Sequence, residues 1–511
     1  LTMGQNLEKA FTTKYKKKEV VDLQSKQIED LPPSVGNLAK CKRLLLNSND
    51  LTSLPDEISK VTTLELLDCT QNRINLIPDS ISKLSNLLEL YLTDNKMFVG
   101  GLPDAIGDIP KLQKLCVSGN QLEELPTSIG NLSNLTHLLL DNNRLKVVPP
   151  EIGKLLKLHN LSLKNNELYA LPPEIGDLVE LEFLDVNSNA LTDLPSTIGK
   201  LKNLKFLDIG FNRIEKLPVE LAELEYLEEL NISCNAEINE LPSLSYLRNL
   251  QKLSLASLTI DHFPSDLQYL TNLVELNLSA NHQIGHLPLE IGFLEKLQKL
   301  DIHNNGLKEL PAEIGMLSNL TNLDCANNQL SSEMLPIEFG NLIALKTLKM
   351  NTNDLSVLPT TMRNFINLTE LDASMNNIIQ MPEEFGEMVS LEKLILEGNK
   401  ISTLPPEIGN LAELSILNIK SNEINKLPDE IGDLFMLQEI DVSHNMLAEL
   451  PWTMGTLPCL EVLNVRHNPL VLPPKPIINK GTAEILKWLR LNEYKHTKAR
   501  QLGKNKTDRQ R

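Results

Sequence analysis

Asparagine recurs along this chain at an almost fixed interval. It runs from Asn49 through Asn72, Asn95 and Asn120 to Asn235, and again from Asn281 through Asn305 and Asn328 to Asn468, with nearly every step equal to 23. Leu258 takes the one missing Asn position and Lys26 stands one period before the first, which makes 20 registers. A chain of 511 residues would otherwise predict three or four domains. A single unit copied over about 460 residues replaces that expectation with one continuous array. Composition agrees: 41% of residues are hydrophobic but only 4% aromatic, so one small aliphatic core is being repeated.

The stretch Leu158 to Leu178, LHNLSLKNNELYALPPEIGDL, is close to an ideal copy. Its L-x-L segment alternates with period two, which predicts a short strand with leucines inward. The Asn turns inward to satisfy backbone groups of the neighbouring turn, and losing such a partner costs about 1–3 kcal/mol. The Leu-Pro pair stops the strand, since Pro cannot donate to a ladder. Ile-Gly then closes the unit on the far side, where short helical pieces are expected. Twenty strands about 4.8 Å apart make an arc of roughly 90 Å. The pattern slips in a few places. Two residues are added after Asn95 and after Asn328, and one after Asn281, while the turn after Asn235 is stretched. Drift in an old array and a local change of curvature near residues 235–288 are the two readings.

The pattern LPxxIGxLxxLxxLxLxxNxL resembles the Ras-group, or plant-intracellular Ras-group, leucine-rich-repeat proteins over about residues 20–475. The ends, KYKKKEVVDL and NPLVLPPKPIINKGTAEILKWL, resemble an amoebozoan, repeat-only cytosolic member of that group. The resemblance implies an α/β leucine-rich-repeat solenoid, a curved horseshoe of about 20 repeats of 23 residues. Parallel strands would line its concave face and short helical or 3-10 segments its convex face. The expected organisation is a basic N-terminal arm (1–19), the solenoid (20–475), a C-terminal capping helix region (476–496) and a disordered basic tail (497–511). Within the cap, Ile485, Trp488 and Leu489 share one helix face.

Net charge is −18. Residues 1–20 balance to +3 and 481–511 to +6, so the repeats between carry −27. Such a body excludes duplex binding, which needs clustered Lys and Arg, and no nucleic-acid partner is expected. No apolar run reaches a membrane span and no basic-then-apolar leader opens the chain as given. The six cysteines form no C-x-x-C pair, and Cys41, Cys69 and Cys325 occupy leucine slots, as expected of reduced thiols in a cytoplasmic protein.

Catalysis has little foothold. No P-loop, kinase signature or nucleophile motif occurs. Asp185, Asp208, Asp301, Asp324, Asp372 and Asp441 recur at one strand position, which reads as a solvated acidic column rather than acid–base pairs. His444 and His467 fall in equivalent positions about 5 Å apart, and His282, His286 and His303 cluster loosely, but a third ligand is not evident. The sequence therefore assigns no catalytic residue, no metal ligand and no cofactor. An enzyme is the remote alternative.

Binding suits this surface better. Arg73, Lys96, Lys114, Arg144 and Lys164 are concave-face positions that form a basic stripe on an acidic body. Phe183, Phe206 and Phe211 are expected outward on strands beside it, and clustered exposed aromatics mark interface centres. The resemblance implies a non-catalytic scaffold or adaptor in signal transduction whose partner is a Ras-family small GTPase. The alternative is a membrane-docked cytoskeletal or structural adaptor, held by peripheral contact with an anionic membrane through the basic ends. The chain starts Leu1-Thr2-Met3-Gly4; read from Met3, Gly4 becomes a lipidation position, although Glu8 stands where the myristoylation pattern has Ser or Thr. Lys14, Lys16, Lys17 and Lys18 would be the second signal that one acyl chain needs, at about 1 kcal/mol each near an anionic leaflet. The expected outcome in fractionated cells is a partly membrane-bound protein that Lys16→Glu, Lys17→Glu and Lys18→Glu together release. A wholly soluble native form at low salt removes the membrane reading.

Overall fold

Most repeats in the computed structural model, which describes residues 3–263 and 265–492, spend three residues on a strand and five on a 3-10 turn. The strand Asn160–Ser162 is typical: Leu161 between its two outward residues is fully buried, as are Leu158 and Leu163. Strands pair in parallel with matching repeat positions opposed, as Leu161 to Leu184 and Leu184 to Leu207. Among the described residues there are twenty such strands. They divide between two compact units, Leu1–Ile260 and Asp261–Arg511. The first holds the strands from Val20–Asp22 to Lys252–Ser254, the second those from Glu275–Asn277 to Val462–Asn464. The boundary falls inside the stretch where the sequence pattern slips.

The ladder asparagines stitch each repeat to the one before it. Asn166 Nδ2 donates to Leu163 O in its own repeat (2.9 Å) and to Leu140 O in the preceding one (3.0 Å). Its Oδ1 accepts from Leu145 N at 3.0 Å. Asn72, Asn212, Asn376 and Asn445 repeat the same set. The residue just before each ladder position is left-handed, from Ser25 (φ 55°) to His467 (φ 58°), and only Gly119 and Gly398 among them are glycine. The sequence reading did not foresee that turn.

The return segment begins at Pro with extended geometry, as Pro149 at φ −67° and ψ 145°. The buried Ile152 then donates to Pro149 O (3.0 Å) and opens the 3-10 turn Pro150–Lys154. Glycine follows because the next repeat lies against it: a Cβ on Gly107 would stand 2.2 Å from Ser128 O. The stretched turn after Asn235 has its own solution. Ile238 N donates to Asn235 O (3.1 Å) where Leu258 offers no side-chain acceptor, and the backbone and hydroxyl of Thr259 both donate to Ile238 O. Ile284 N turns onto Asn281 O in the same way (3.1 Å), and Asn305 Oδ1 accepts from Asn281 N instead (2.7 Å).

Both ends of the described chain are covered. The N-terminal segment, read from sequence as a basic arm, contains an α-helix, Met3–Thr12, that buries Phe11 completely. Gly4 lies in this helix, and Lys14, Lys16, Lys17 and Lys18 beyond it are exposed. At the other end, residues 482–492 are helical and bury Ile485, Leu486 and Leu489. Trp488 stacks on Trp452 with centroids 5.4 Å apart, and Thr482 Oγ1 accepts from Leu463 N on the last strand (3.0 Å). The end of the expected helix, 493–496, and the basic tail 497–511 lie outside the described residues. Among those described, no helix is long and apolar enough to cross a membrane.

Two substitutions separate the ladder from the turn it closes. Asn166→Ala orphans Leu145 N, while Leu140 O and Leu163 O each keep a second donor from Asn143 and Asn189, and should lower stability by about 1–3 kcal/mol in urea unfolding. Thr352 is β-branched at φ 56°. Thr352→Gly should raise stability by about 1 kcal/mol, because its backbone bonds to Ser374 O and Asn328 N need no side chain.

Candidate protein-binding face

The outward residues of each strand form columns, because every repeat places the same position beside its neighbour. The structure distributes the expected binding residues over several columns. Arg73, Lys96 and Arg144 share the column that follows the ladder Asn, at the margin of the strands. Arg73 is paired with Asp50 of the preceding repeat (2.8 Å), while Lys96 and Arg144 are exposed. Lys114 starts the strand Lys114–Cys116 and lies 3.8 Å from Glu89. Lys164 follows the strand Asn160–Ser162 and is exposed. The five cations therefore occupy three columns, two of them already facing carboxylates.

Phe183 and Phe206 come together. They are the first residues of adjacent strands, directly opposed, and their rings stack 4.3 Å apart at 7°. Each is half-buried, with one face against its neighbour and the rest toward solvent. Phe211 departs from expectation. It lies beyond the strand Phe206–Asp208, in the left-handed position before Asn212 (φ 53°), and is 56% exposed. The turn that brings Asn212 inward swings Phe211 off the strand, so its ring does not join the stack.

Behind the rings sits an opposed carboxylate pair, Asp185 and Asp208. Asn187 Nδ2 (2.9 Å), Asn231 Nδ2 (3.0 Å) and Gly210 N (2.9 Å) all donate to Asp208 Oδ1. Gly210 permits this, since a Cβ there would meet both amides at 2.9–3.0 Å. Asp185 accepts from Asn187 N (2.9 Å) and is buried. Burial, and secondarily the Asp208 charge, push its carboxyl up to about 6. The sequence reading grouped these two with the solvated aspartates; the signal it passed over was Asn187, two residues after Asp185, together with Asn231 on the next strand.

Other expected clusters resolve differently. His444 and His467 stack with centroids 4.1 Å apart, both exposed. His286 faces Glu309 (3.3 Å) and His303 faces Asp301 (2.6 Å), so these histidines turn to separate carboxylates. Cys41, Cys69 and Cys325 are fully buried in leucine slots, and desolvation pushes the Cys41 thiol up to about 11.

The family model described as a leucine-rich repeat region matches residues 147–262 and 261–373. Leucine rich repeat models also match 389–447, 111–132 and 134–155. A solved leucine-rich-repeat protein of Leptospira interrogans is 32% identical, covering 85% of this chain and 98% of its own, with a TM-score of 0.61. This chain belongs to the leucine-rich-repeat family. Its repeats are also similar to the plant peptide hormone receptor RGFR1, solved in complex with RGF2 (29% identity, 86% of this chain and 81% of that one, TM-score 0.66). The Arabidopsis receptor kinase HAESA, solved with the peptide hormone IDA and the co-receptor SERK1, is 27% identical, covering 89% and 75% of the two chains, with a TM-score of 0.63. A Dictyostelium discoideum leucine-rich repeat protein, lrrA, is 50% identical over 48 residues, which span 9% of each chain.

Asp185 supplies a test of the face that involves no partner. Its folded carboxyl is raised from 3.8 to about 6, so the folded state holds the proton more tightly than the unfolded one. Stability should therefore fall as pH rises through that window. Asp185→Asn keeps an acceptor for Asn187 N and removes the charge. It should stabilise the protein by about 1–2 kcal/mol at pH 7 and by nothing below about pH 4. A stability difference independent of pH would show that the carboxyl is not held this way.

Proposed function

We propose that this chain is a non-catalytic protein-binding scaffold in intracellular signal transduction, with a Ras-type small GTPase as its partner. The stacked pair Phe183–Phe206 carries the reading. It places two partly exposed aromatic rings side by side on the strand face, ringed by polar and acidic groups. Such an apolar centre with a polar rim is how protein interfaces concentrate their energy. The complexes of related repeat receptors with a peptide hormone and a co-receptor support use of this fold for protein partners. The GTPase assignment rests on the LPxxIGxL pattern and on Lys96 and Arg144, exposed cations that would steer an acidic surface toward the face. The proposed location is the cytoplasm, with part at the inner plasma membrane through the exposed Lys14 and Lys16–Lys18.

The experiment is capture of purified Ras-type GTPases, loaded with GTP or GDP, on the immobilised full chain. Nucleotide-dependent capture is expected. Phe183→Ala with Phe206→Ala should weaken it by about a hundredfold or more, given about 1.5–3 kcal/mol for each fully covered ring. Lys96→Ala with Arg144→Ala should mainly slow association and flatten its salt dependence. Binding that survives loss of both rings would place the interface elsewhere. Absence of capture in either nucleotide state would remove the GTPase while leaving the face open to other proteins.

A further inference from the structure

Two strand positions oppose aspartate to aspartate: Asp185 to Asp208, and Asp301 to Asp324. Their surroundings differ in kind. The first pair is held by amides, with Asn187 and Asn231 both donating to Asp208. At the second pair the corresponding positions are His303 and Lys349. Imidazole Nδ1 lies 2.6 Å from Asp301 Oδ1, and the Lys349 ammonium lies 3.6 Å from Asp324 Oδ2. One ligand atom each from Asp301, His303 and Asp324 lies within 4.8 Å of the other two. All three residues are partly open to solvent, and small Ala326 occupies the position next to His303 in the following repeat.

We propose that Asp301, His303 and Asp324 form a binding site for a divalent first-row transition cation of the zinc type. Strand geometry brings the donors together: Asp301 and His303, two apart, leave the chain on the same side, and Asp324 stands directly across. Two carboxylates and one imidazole suit Zn2+ and its neighbours. Ca2+ needs six to eight oxygens and fits this set poorly. Three protein ligands leave a coordination position for water or for a side chain of a docked protein. Lys349 acts as a built-in counter-cation that an incoming metal must displace from Asp324. This site belongs to the unit Asp261–Arg511 and the Phe183–Phe206 stack to the unit Leu1–Ile260, and it stands independently of the function proposed above.

The test is calorimetric titration of the full chain with Zn2+. His444→Ala serves as a control for the stacked His444–His467 pair, and Ca2+ serves as a second probe. The wild type should bind Zn2+ at a site that His303→Ala or Asp324→Asn weakens about tenfold or more. His444→Ala should leave that site intact, Lys349→Met should tighten it several-fold, and Ca2+ should give no comparable binding. Absence of Zn2+ binding to the wild type overturns the proposal. So does a titration unchanged by His303→Ala and Asp324→Asn, or lost only in His444→Ala. A Lys349→Met variant that binds no more tightly overturns the role given to that lysine.

Discussion

A single carboxamide per repeat holds this architecture together. Three-residue strands are too short to fix their own register, and the turn after each strand leaves backbone groups pointing into an apolar core. The ladder Asn meets both problems. Its NH2 reaches carbonyls in two successive repeats while its oxygen takes an N–H of the earlier one, as Asn166 does with Leu163, Leu140 and Leu145. Buried amides that lose such partners cost about 1–3 kcal/mol each, so the side chain both satisfies the turn and fixes the spacing of the stack. It also sustains the left-handed residue before it. Residues such as Thr352, Met375 and Phe211 take φ values of 53–56° there, a conformation costing about 1 kcal/mol or more for side chains of this kind. Where Asn is replaced by Leu258, the chain lengthens the preceding turn and lets Ile238 bond to Asn235 instead.

Because those demands fall on inward positions, the outward ones are left to function. Leu161, Leu184 and Leu207 are interchangeable in role, whereas Asn160, Phe183 and Phe206 beside them differ in chemistry. A ligand surface in this fold is thus written across repeats. Neighbours on the face are 23 to 25 residues apart in sequence, and each column is a separate string of side chains.

This separation also decides what could be read from sequence. The strands, their register, the inward Asn and the short turns follow from the 23-residue period, since each is a consequence of leucine and asparagine spacing. The distribution of Arg73, Lys114 and Lys164 into separate columns does not, because the period alone does not say which outward residues share one. Phe211 reads as an outward strand residue because the inward slots beside it are filled by leucine and isoleucine, yet it lies beyond the strand Phe206–Asp208. Its left-handed backbone has no mark in a sequence that puts Phe, Thr, Met, Asn and Ser at equivalent positions. The N-terminal helix escaped for another reason: among its described side chains Phe11 alone is buried, and one residue makes no periodicity.

The aspartate column shows how far local chemistry is set by these long-range neighbours. Asp185 and Asp301 occupy the same strand position, each opposed to a second aspartate one repeat later. Around Asp208, two asparagine amides supply N–H donors and Gly210 leaves room for them, so the pair is satisfied within the protein. Burial then raises the remaining carboxyl, Asp185, toward protonation. Around Asp301 and Asp324 the same two positions carry an imidazole, facing Asp301, and an ammonium, facing Asp324, and the side chains stay open to water. One pair is thereby fitted to sit inside a hydrogen-bonded platform beside the stacked rings, and the other to hold positive charge. The difference is made by Asn187 and Asn231 against His303 and Lys349: the first of each pair follows its aspartate by two residues, and the second is brought to the carboxylates by the stacking of repeats.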